Sequence, residues 1–244
     1  MIDLHSHVLP GLDDGAADLD EALAICRAVA ADGVEVLVAT PHVRRHDYPT
    51  TPVQMEDALA ELLDAHPPVE VVRGGELDLA ELERPADELA RFGLGGSRYL
   101  LVETPYVGWP LDLPERLFRV RVAGFGVVLA HPERNLDVQE RPERLAPLVE
   151  SGVVVQLTAA SVDGRLGKVT QQCSRALLDR HLAHVVASDA HTAEIRAAGM
   201  SAAVDAIGDE SLARWLTEDV PRAVLADAEA PPRPTGRPRR RFLR

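Results

Sequence analysis

The sequence predicts an α/β fold built as a distorted seven-stranded (β/α) TIM-like barrel. Three observations carry that expectation. Seven short apolar runs alternate with amphipathic helical runs along the chain, the pattern of parallel strands joined by helical crossovers. Several of those runs, "VEVLVAT", "GVVLA" and "AHVVAS", are apolar without alternation, as in strands covered on both faces. The length of 244 residues suits one barrel domain, which runs to ~250 residues.

Taken in order, "MIDLH" is the first strand. "DLDEALAICRAVAADG" follows as a helix, with Leu19, Leu23, Ile25, Cys26 and Val29 on one side and Gly33 ending it. "VEVLVAT" is the second strand, and "TPVQMEDALAELLDAH" is a helix with Thr51 as its cap and Pro52 at its first position. "VEVVRGGE" and "RYLLVET" are the third and fourth strands. "LPERLFRVRVAG" is helical, "GVVLAHPE" is the fifth strand, and "RPERLAPLVESG" is helical again. "VVVQLTA", the helix "KVTQQCSRALLDRH" and the strand "AHVVASDAH" complete the alternation, and helices over 193–207 and 210–217 close the fold. No glycine-rich phosphate loop of the GxGxxG or GxxxxGK[ST] type occurs.

Composition narrows the function classes. The formal net charge of −13 argues against general nucleic-acid binding. No apolar run approaches the ~18 residues of a membrane span, and the start lacks the basic and apolar regions of a signal peptide, so a cytoplasmic protein is expected. Two distant cysteines, Cys26 and Cys173, make no disulfide framework. Neither fits the CxxxxxR pattern of a cysteine phosphatase. The last 14 residues, "PPRPTGRPRRRFLR", carry six arginines and no acid, so the rest of the chain stands near −19. Residues 1–226 are therefore expected to form one domain, and 227–244 a disordered Pro/Arg-rich tail. A docking arm for an acidic partner or membrane surface is the alternative for that tail.

The strand ends carry the chemistry. The first ends in His5 and His7, the second in "TPH" with His42, the third in "GGE" with Glu76, and the fourth in Glu103. The fifth ends in "HPER" with His131, and the seventh in "SDAH" with Asp189 and His191. Only the sixth, at "QLTA", ends without an evident ligand. C-terminal strand ends converge in α/β barrels, so residues far apart in sequence would meet. Side chains two residues apart on a strand share a face, which pairs His5 with His7 and Asp189 with His191. Imidazoles and carboxylates in these numbers exceed the needs of one ion and suit two or three divalent cations with bridging carboxylates. Carboxylates so crowded repel one another when buried, which cations relieve. Of the other histidines, His66, His181 and His184 read as surface or helix-end residues, and His46 lies near the mouth.

The set "DLHSH", "TPH", "GGE", "HPER" and "SDAH" resembles the polymerase-and-histidinol-phosphatase superfamily, in order, from residue 1 to about 226. The opening "MIDLHSHVLPGLDDG" is most similar to its bacterial metal-dependent protein-tyrosine phosphatase branch, associated with capsular and exopolysaccharide synthesis. Histidinol phosphatases of the superfamily usually carry histidine where this chain has "DDG" and where it has Glu103. The resemblance implies a trinuclear centre. His5, His7, Glu76 and Asp189 would hold one ion, Glu76, Glu103 and His131 a second, and Asp14, His42 and His191 a third. Asp13 is an alternative to Asp14 that periodicity does not decide. Manganese is the ion most often found in such sites, with zinc or iron also suited to the ligands.

The reaction implied is phosphomonoester hydrolysis, most closely of phosphotyrosine, by a metal-bridged hydroxide attacking phosphorus in line. Arg134 and Arg196 are the expected phosphate clamps, since the planar guanidinium fork matches phosphate. Arg44 and Arg45 are expected to line the mouth and receive the substrate. The partner implied is a phosphotyrosine protein such as a bacterial tyrosine kinase, and oligomeric state stays open, a homo-oligomer included. A histidinol phosphatase or another small-molecule phosphoesterase is the rival reading, and a non-catalytic metal-binding module a further one. A metal-dependent amidohydrolase usually needs a bridging lysine, and the only lysine, Lys168, lies inside a helix.

Overall fold

The computed structural model describes residues 1–193 and 199–235. Among them, parallel strands lie in two sheets. The first runs in the order β1 (Ile2–Ser6), β2 (Val36–Ala39), β4 (Glu70–Arg73). The second runs β3 (His42–Val43), β5 (Glu76–Leu77), β6 (Tyr99–Glu103), β7 (Gly126–Ala130), β8 (Val154–Thr158), β9 (Val185–Ala187). The fold is thus a mixed α/β fold with two open parallel sheets, and the expected single set of seven strands is corrected.

Two of the seven expected strands break. The second stops at Thr40–Pro41, where proline supplies no N–H to the ladder. The third breaks at Gly74–Gly75. A Cβ on Gly74 would lie 2.9 Å from Val38 Cγ1 and 3.0 Å from Leu94 Cδ2, so glycine lets these side chains close on the backbone. Each break moves the pairing from one sheet to the other: Val36 pairs with Glu70 in the first, His42 with Glu76 in the second. The outer strands of the two sheets meet at a seam, where Asp189 N donates to His5 O (2.9 Å) and His7 N to Ala190 O (2.8 Å).

Helix α1 (Leu19–Ala31) is capped by the Asp18 side chain and buries Ala22, Ile25, Cys26 and Val29. Helix α2 (Pro52–Asp64) has the expected Thr51 cap, closed into a capping box by Gln54. The helix expected over 141–152 is instead a 3₁₀ turn, Pro142–Leu145, followed by a short α-helix, Ala146–Glu150. Its two prolines lack the N–H groups a single helix would use. The helix expected over 193–207 is observed as Met200–Ile207, with 194–198 outside the described residues. That over 210–217 runs on as Glu210–Arg214, a π turn at Trp215–Asp219, and Val220–Leu225. Pro221 cannot donate to a helical carbonyl, which accounts for the widened turn before it.

Apolar residues of both sheets, among them Leu4, Leu37, Leu101, Val128, Val155 and Val186, are fully buried. No helix among the described residues is long and apolar enough to cross a membrane. Residues 227–235 were expected to be disordered, but they lie against the starting ends of the strands. Arg98 N donates to Asp227 Oδ1 (2.7 Å), Tyr99 Oη to Ala228 O (3.1 Å) and Trp215 Nε1 to Pro231 O (2.9 Å). Arg233 donates to Leu178 O and Ala183 O and lies over the Trp215 ring. The body supplies anchors for this strap that its own composition does not reveal.

Candidate metal centre

At the opposite ends of the strands, the interior turns polar. His5, His7, Glu76, His131 and Asp189 are buried to within 2% of complete, and His42 and Glu103 nearly so. β1 delivers His5 and, just past its end, His7; β3 and β5 begin with His42 and Glu76; β6 ends in Glu103; His131 follows β7 and Asp189 follows β9. His131 (φ 34°) and Asp189 (φ 55°) both adopt left-handed backbone. Such strain, on the order of 1–3 kcal/mol each, concentrates at functional sites.

All nine expected ligands converge. His5 Nε2 and His7 Nε2 lie 3.1 Å apart, with Glu76 Oε2 3.4 and 3.5 Å and Asp189 Oδ1 3.6 and 3.4 Å from them. Glu76 is central: Oε1 lies 2.9 Å from His131 Nε2 and Oε2 lies 2.8 Å from His42 Nδ1. Four sets present ligand atoms within 4.8 Å of one another: His5/His7/Asp189, His5/Glu76/His131, His42/Glu76/Glu103 and His7/Asp14/His42/His191. The grouping differs from the expected one: Glu76 is grouped with His5 and His131 and with His42 and Glu103 rather than in the His5/His7/Asp189 set. Glu103 is grouped with His42 rather than His131, and His7 also faces the Asp14 set.

The neighbouring aspartates divide their roles. Asp14 is exposed and approaches His42 Nε2 (3.5 Å) and His191 Nε2 (3.4 Å). Asp13 is turned inward, where His7 Nδ1 donates to its Oδ2 (2.6 Å) and the backbone N–H of His42 does so too (2.8 Å). A Cβ on Gly15 would lie 2.0 Å from His7 O, so only glycine lets this turn close over His7.

The residues fit divalent cations. Gln156 Oε1 accepts from His131 N (3.3 Å) and so takes the Nδ1 proton of His5 (3.1 Å). Asp13 takes that of His7. With both Nδ1 protons committed, the facing Nε2 atoms are reconciled only by an added proton or by a cation. Burial opposes charge on His5, but Glu76 and Asp189 hold its pKa above the ordinary value. Burial opposes it on His7 as well, and Asp13 holds that group well above its usual range. The Asp13 carboxyl, despite burial, is drawn down to about 2 by His7. Glu76, also against burial, is held well below the usual carboxylate range by His5, His131 and His42. The cluster is thus built to take up positive charge. His131 Nδ1 is buried without a hydrogen-bond partner.

The arginines differ in placement. Arg134 Nη1 donates to Asp189 Oδ2 (2.7 Å), and its guanidinium lies 4.7 Å from the centre of the Tyr106 ring, which stacks on His131 at 6.0 Å. Arg44 donates to Glu103 Oε2 through Nη2 (2.5 Å) and Nε (3.1 Å), at the edge of the cluster. Arg45, expected at the mouth, is exposed and turned to Glu81 instead, with Nε 3.8 Å from Glu81 Oε1. The backbone N–H of Arg45 also donates to Glu81 Oε1 (3.0 Å). Arg196 lies outside the described residues.

Sequence reading missed Gln156. It lies in the strand judged to lack a ligand, and its only signal is an amide inside the apolar run "VVVQLTA". Both cysteine thiols are buried and pushed up to about 12 by burial, which agrees with rejecting a thiolate nucleophile.

Comparison with known proteins gives the chain its relatives. The family profile described as capsular polysaccharide synthesis, CpsB/CapC, matches residues 1–225. The chain is 33% identical over 201 residues to the tyrosine-protein phosphatase YwqE of Bacillus subtilis, covering 80% of this chain and 79% of that protein. It is 28% identical to the tyrosine-protein phosphatase CpsB of Streptococcus pneumoniae, covering 93% and 99%. A solved structure from work on YwqE and CpsB, described as unique metal-dependent tyrosine phosphatases, superposes with a TM-score of 0.78 at 28% identity. The match covers 97% of this chain and 100% of that one. With its profile matched over nearly the whole length and the family's relatives aligned across most of it, the chain belongs to the CpsB/CapC family of capsular polysaccharide synthesis proteins.

Proposed function

We propose that the chain is a metal-dependent phosphomonoester hydrolase that acts on phosphotyrosine in proteins, a bacterial tyrosine kinase among them. The observation that carries this reading is the convergence of five imidazoles and four carboxylates on one cluster. The relationship to tyrosine-protein phosphatases over most of the chain supports it.

His5, His7, Glu76 and Asp189 would hold one divalent ion, Glu76, Glu103 and His131 a second, and Asp14, His42 and His191 a third, with His42 close enough to Glu103 to share the second and His7 close enough to Asp14 to share the third. Manganese is the expected ion, and zinc or iron suits the same ligands. Such ions supply Lewis acidity that polarises a phosphoryl oxygen and makes water nucleophilic at neutral pH. Asp13 and Gln156 fix the ring orientation of His7 and His5 by holding their Nδ1 protons. Arg134 commits one N–H to Asp189 and turns its others to the phosphoryl oxygens, preset by that pair and by Tyr106. Arg44 receives the substrate from the Glu103 side, and Arg196 has the same clamping role as Arg134. The two sheets, joined at the seam between β1 and the segment after β9, are the two arcs of a distorted (β/α) barrel.

The test is phosphate release by manganese-loaded protein from a phosphotyrosine peptide and from histidinol phosphate, each with a chelated control. Chelator-sensitive release favouring the peptide is expected. A preference for histidinol phosphate overturns the substrate class, and no release from either overturns the activity.

A further inference from the structure

The loop that follows β6, "TPYVGWPLD", leaves apolar side chains exposed beside the cluster. Val107 is 73% exposed and Leu111 95%, and Leu136, from the segment after His131, is 53% exposed. Exposed apolar residues gathered at the edge of a polar site mark a binding surface more often than scattered single ones do.

This surface is held in shape. Asn135 Nδ2 donates to Pro105 O (2.7 Å) and Gly108 O (3.0 Å), and Leu136 N donates to Tyr106 O (3.0 Å). Those three bonds tie the stretch 105–108, which contains Val107, to Asn135 and Leu136 in the segment that carries His131 and Arg134. Tyr106 joins the lip to the site itself, because its ring stacks on His131 and lies under the Arg134 guanidinium. Val107 is the next residue along.

We infer that Val107, Leu111 and Leu136 form a docking lip for an apolar side chain flanking the phosphotyrosine of a protein substrate; this rests on the phosphotyrosine reading above. The occupant follows from position and charge. An extended peptide advances about 3.3 Å per residue, so a side chain one to three positions from the phosphotyrosine lies within roughly 10 Å of it. The Tyr106 ring centre is 6.0 Å from that of His131, and Val107 follows Tyr106 directly, so the lip begins beside the cluster. The chain's net charge of −13 disfavours acidic flanking segments at long range, and the exposed side chains of this edge, Val107, Leu111 and Leu136, carry no charge with which to pair a basic one, so the contact they offer is apolar.

The experiment uses the full chain loaded with manganese. Two phosphotyrosine peptides of equal length and charge are compared, one with leucine and one with serine beside the phosphotyrosine, with p-nitrophenyl phosphate as a substrate that has no flanks. The leucine peptide is expected to have a kcat/KM about fivefold higher, chiefly through KM, as burial of roughly 40 Å² of apolar surface provides. In the double variant Val107→Ser/Leu136→Ser that preference falls to near one, while the hydrolysis of p-nitrophenyl phosphate reports an intact centre. Equal kcat/KM for the two peptides, or a preference that survives the double variant, overturns the lip and leaves the phosphatase reading standing. A double variant that changes only the sedimentation mass also overturns it, because the lip is then a contact between copies. No release from either peptide by protein that hydrolyses p-nitrophenyl phosphate overturns both.

Discussion

Asp13 and Asp14 are adjacent in sequence and opposite in surroundings. Asp14 is exposed toward His42 and His191, whereas Asp13 holds the proton of His7 and the backbone N–H of His42. Asp13→Asn keeps an acceptor of the same shape but removes the charge that orients His7. Manganese affinity, measured by calorimetric titration, should fall about 10- to 100-fold with the fold intact, as outer-shell losses do. Unchanged affinity would mean that Asp13 only closes the turn. The sequence presents both carboxylates but does not choose between them, because the choice is made by a remote N–H, that of His42, and by the closed approach at Gly15. The residues of the cluster were legible for a simple reason: His42, Glu76, Glu103 and His131 each stand at the end of an apolar run, and strand ends converge. Gln156 was not legible, since a neutral amide inside a strand carries no chemical signature until its two partners are seen.

At the level of elements, the alternation of strand and helix was read correctly, and so was the N-cap of α2 at Thr51. The strand breaks were not, because Thr40–Pro41 and Gly74–Gly75 look like strand ends, and the renewed pairing of β3 with β5 takes only two residues on each. The strap over 227–235 was missed because its anchors, Trp215 and Arg98, lie elsewhere in the chain. A histidine beside Trp215, one of those anchors, has a pH signature. His184 Nδ1 accepts from Val155 N (3.1 Å), its ring faces Trp215, and burial together with Arg233 lowers its pKa from 6.5 to about 4. The unfolded chain therefore takes up this proton first as the pH falls. The contribution of His184 is complete above about pH 6.5 and is lost as the pH falls toward 4, at most about 3 kcal/mol in all. In urea titrations, His184→Gln should flatten the loss of stability between those two values. An unchanged slope would show that His184 is not the group responsible.

On the scale of the whole molecule, a buried knot of carboxylates and imidazoles that takes up cations, as proposed above, would make stability a function of ion supply. Binding at about 100 times Kd contributes about 2.7 kcal/mol. For a chain of this size that raises Tm by roughly 5–10 °C. Manganese should produce such a rise and a chelator should reverse it; a Tm indifferent to both would count against occupancy of the cluster.

The seam between the sheets gives that ion supply a second consequence. His5 and His7 come from the sheet of β1, β2 and β4, while His42, Glu76, Glu103 and His131 come from the other. The ladder that would join the two is replaced by a handful of bonds around Asp189 and Ala190. Cations bound across this boundary would act as rivets between two separately laddered blocks. In amide hydrogen exchange, the three-stranded block of the chelated protein should open as a unit of its own, ahead of the six-stranded one. With ions bound, the two should exchange together, as one cooperative body.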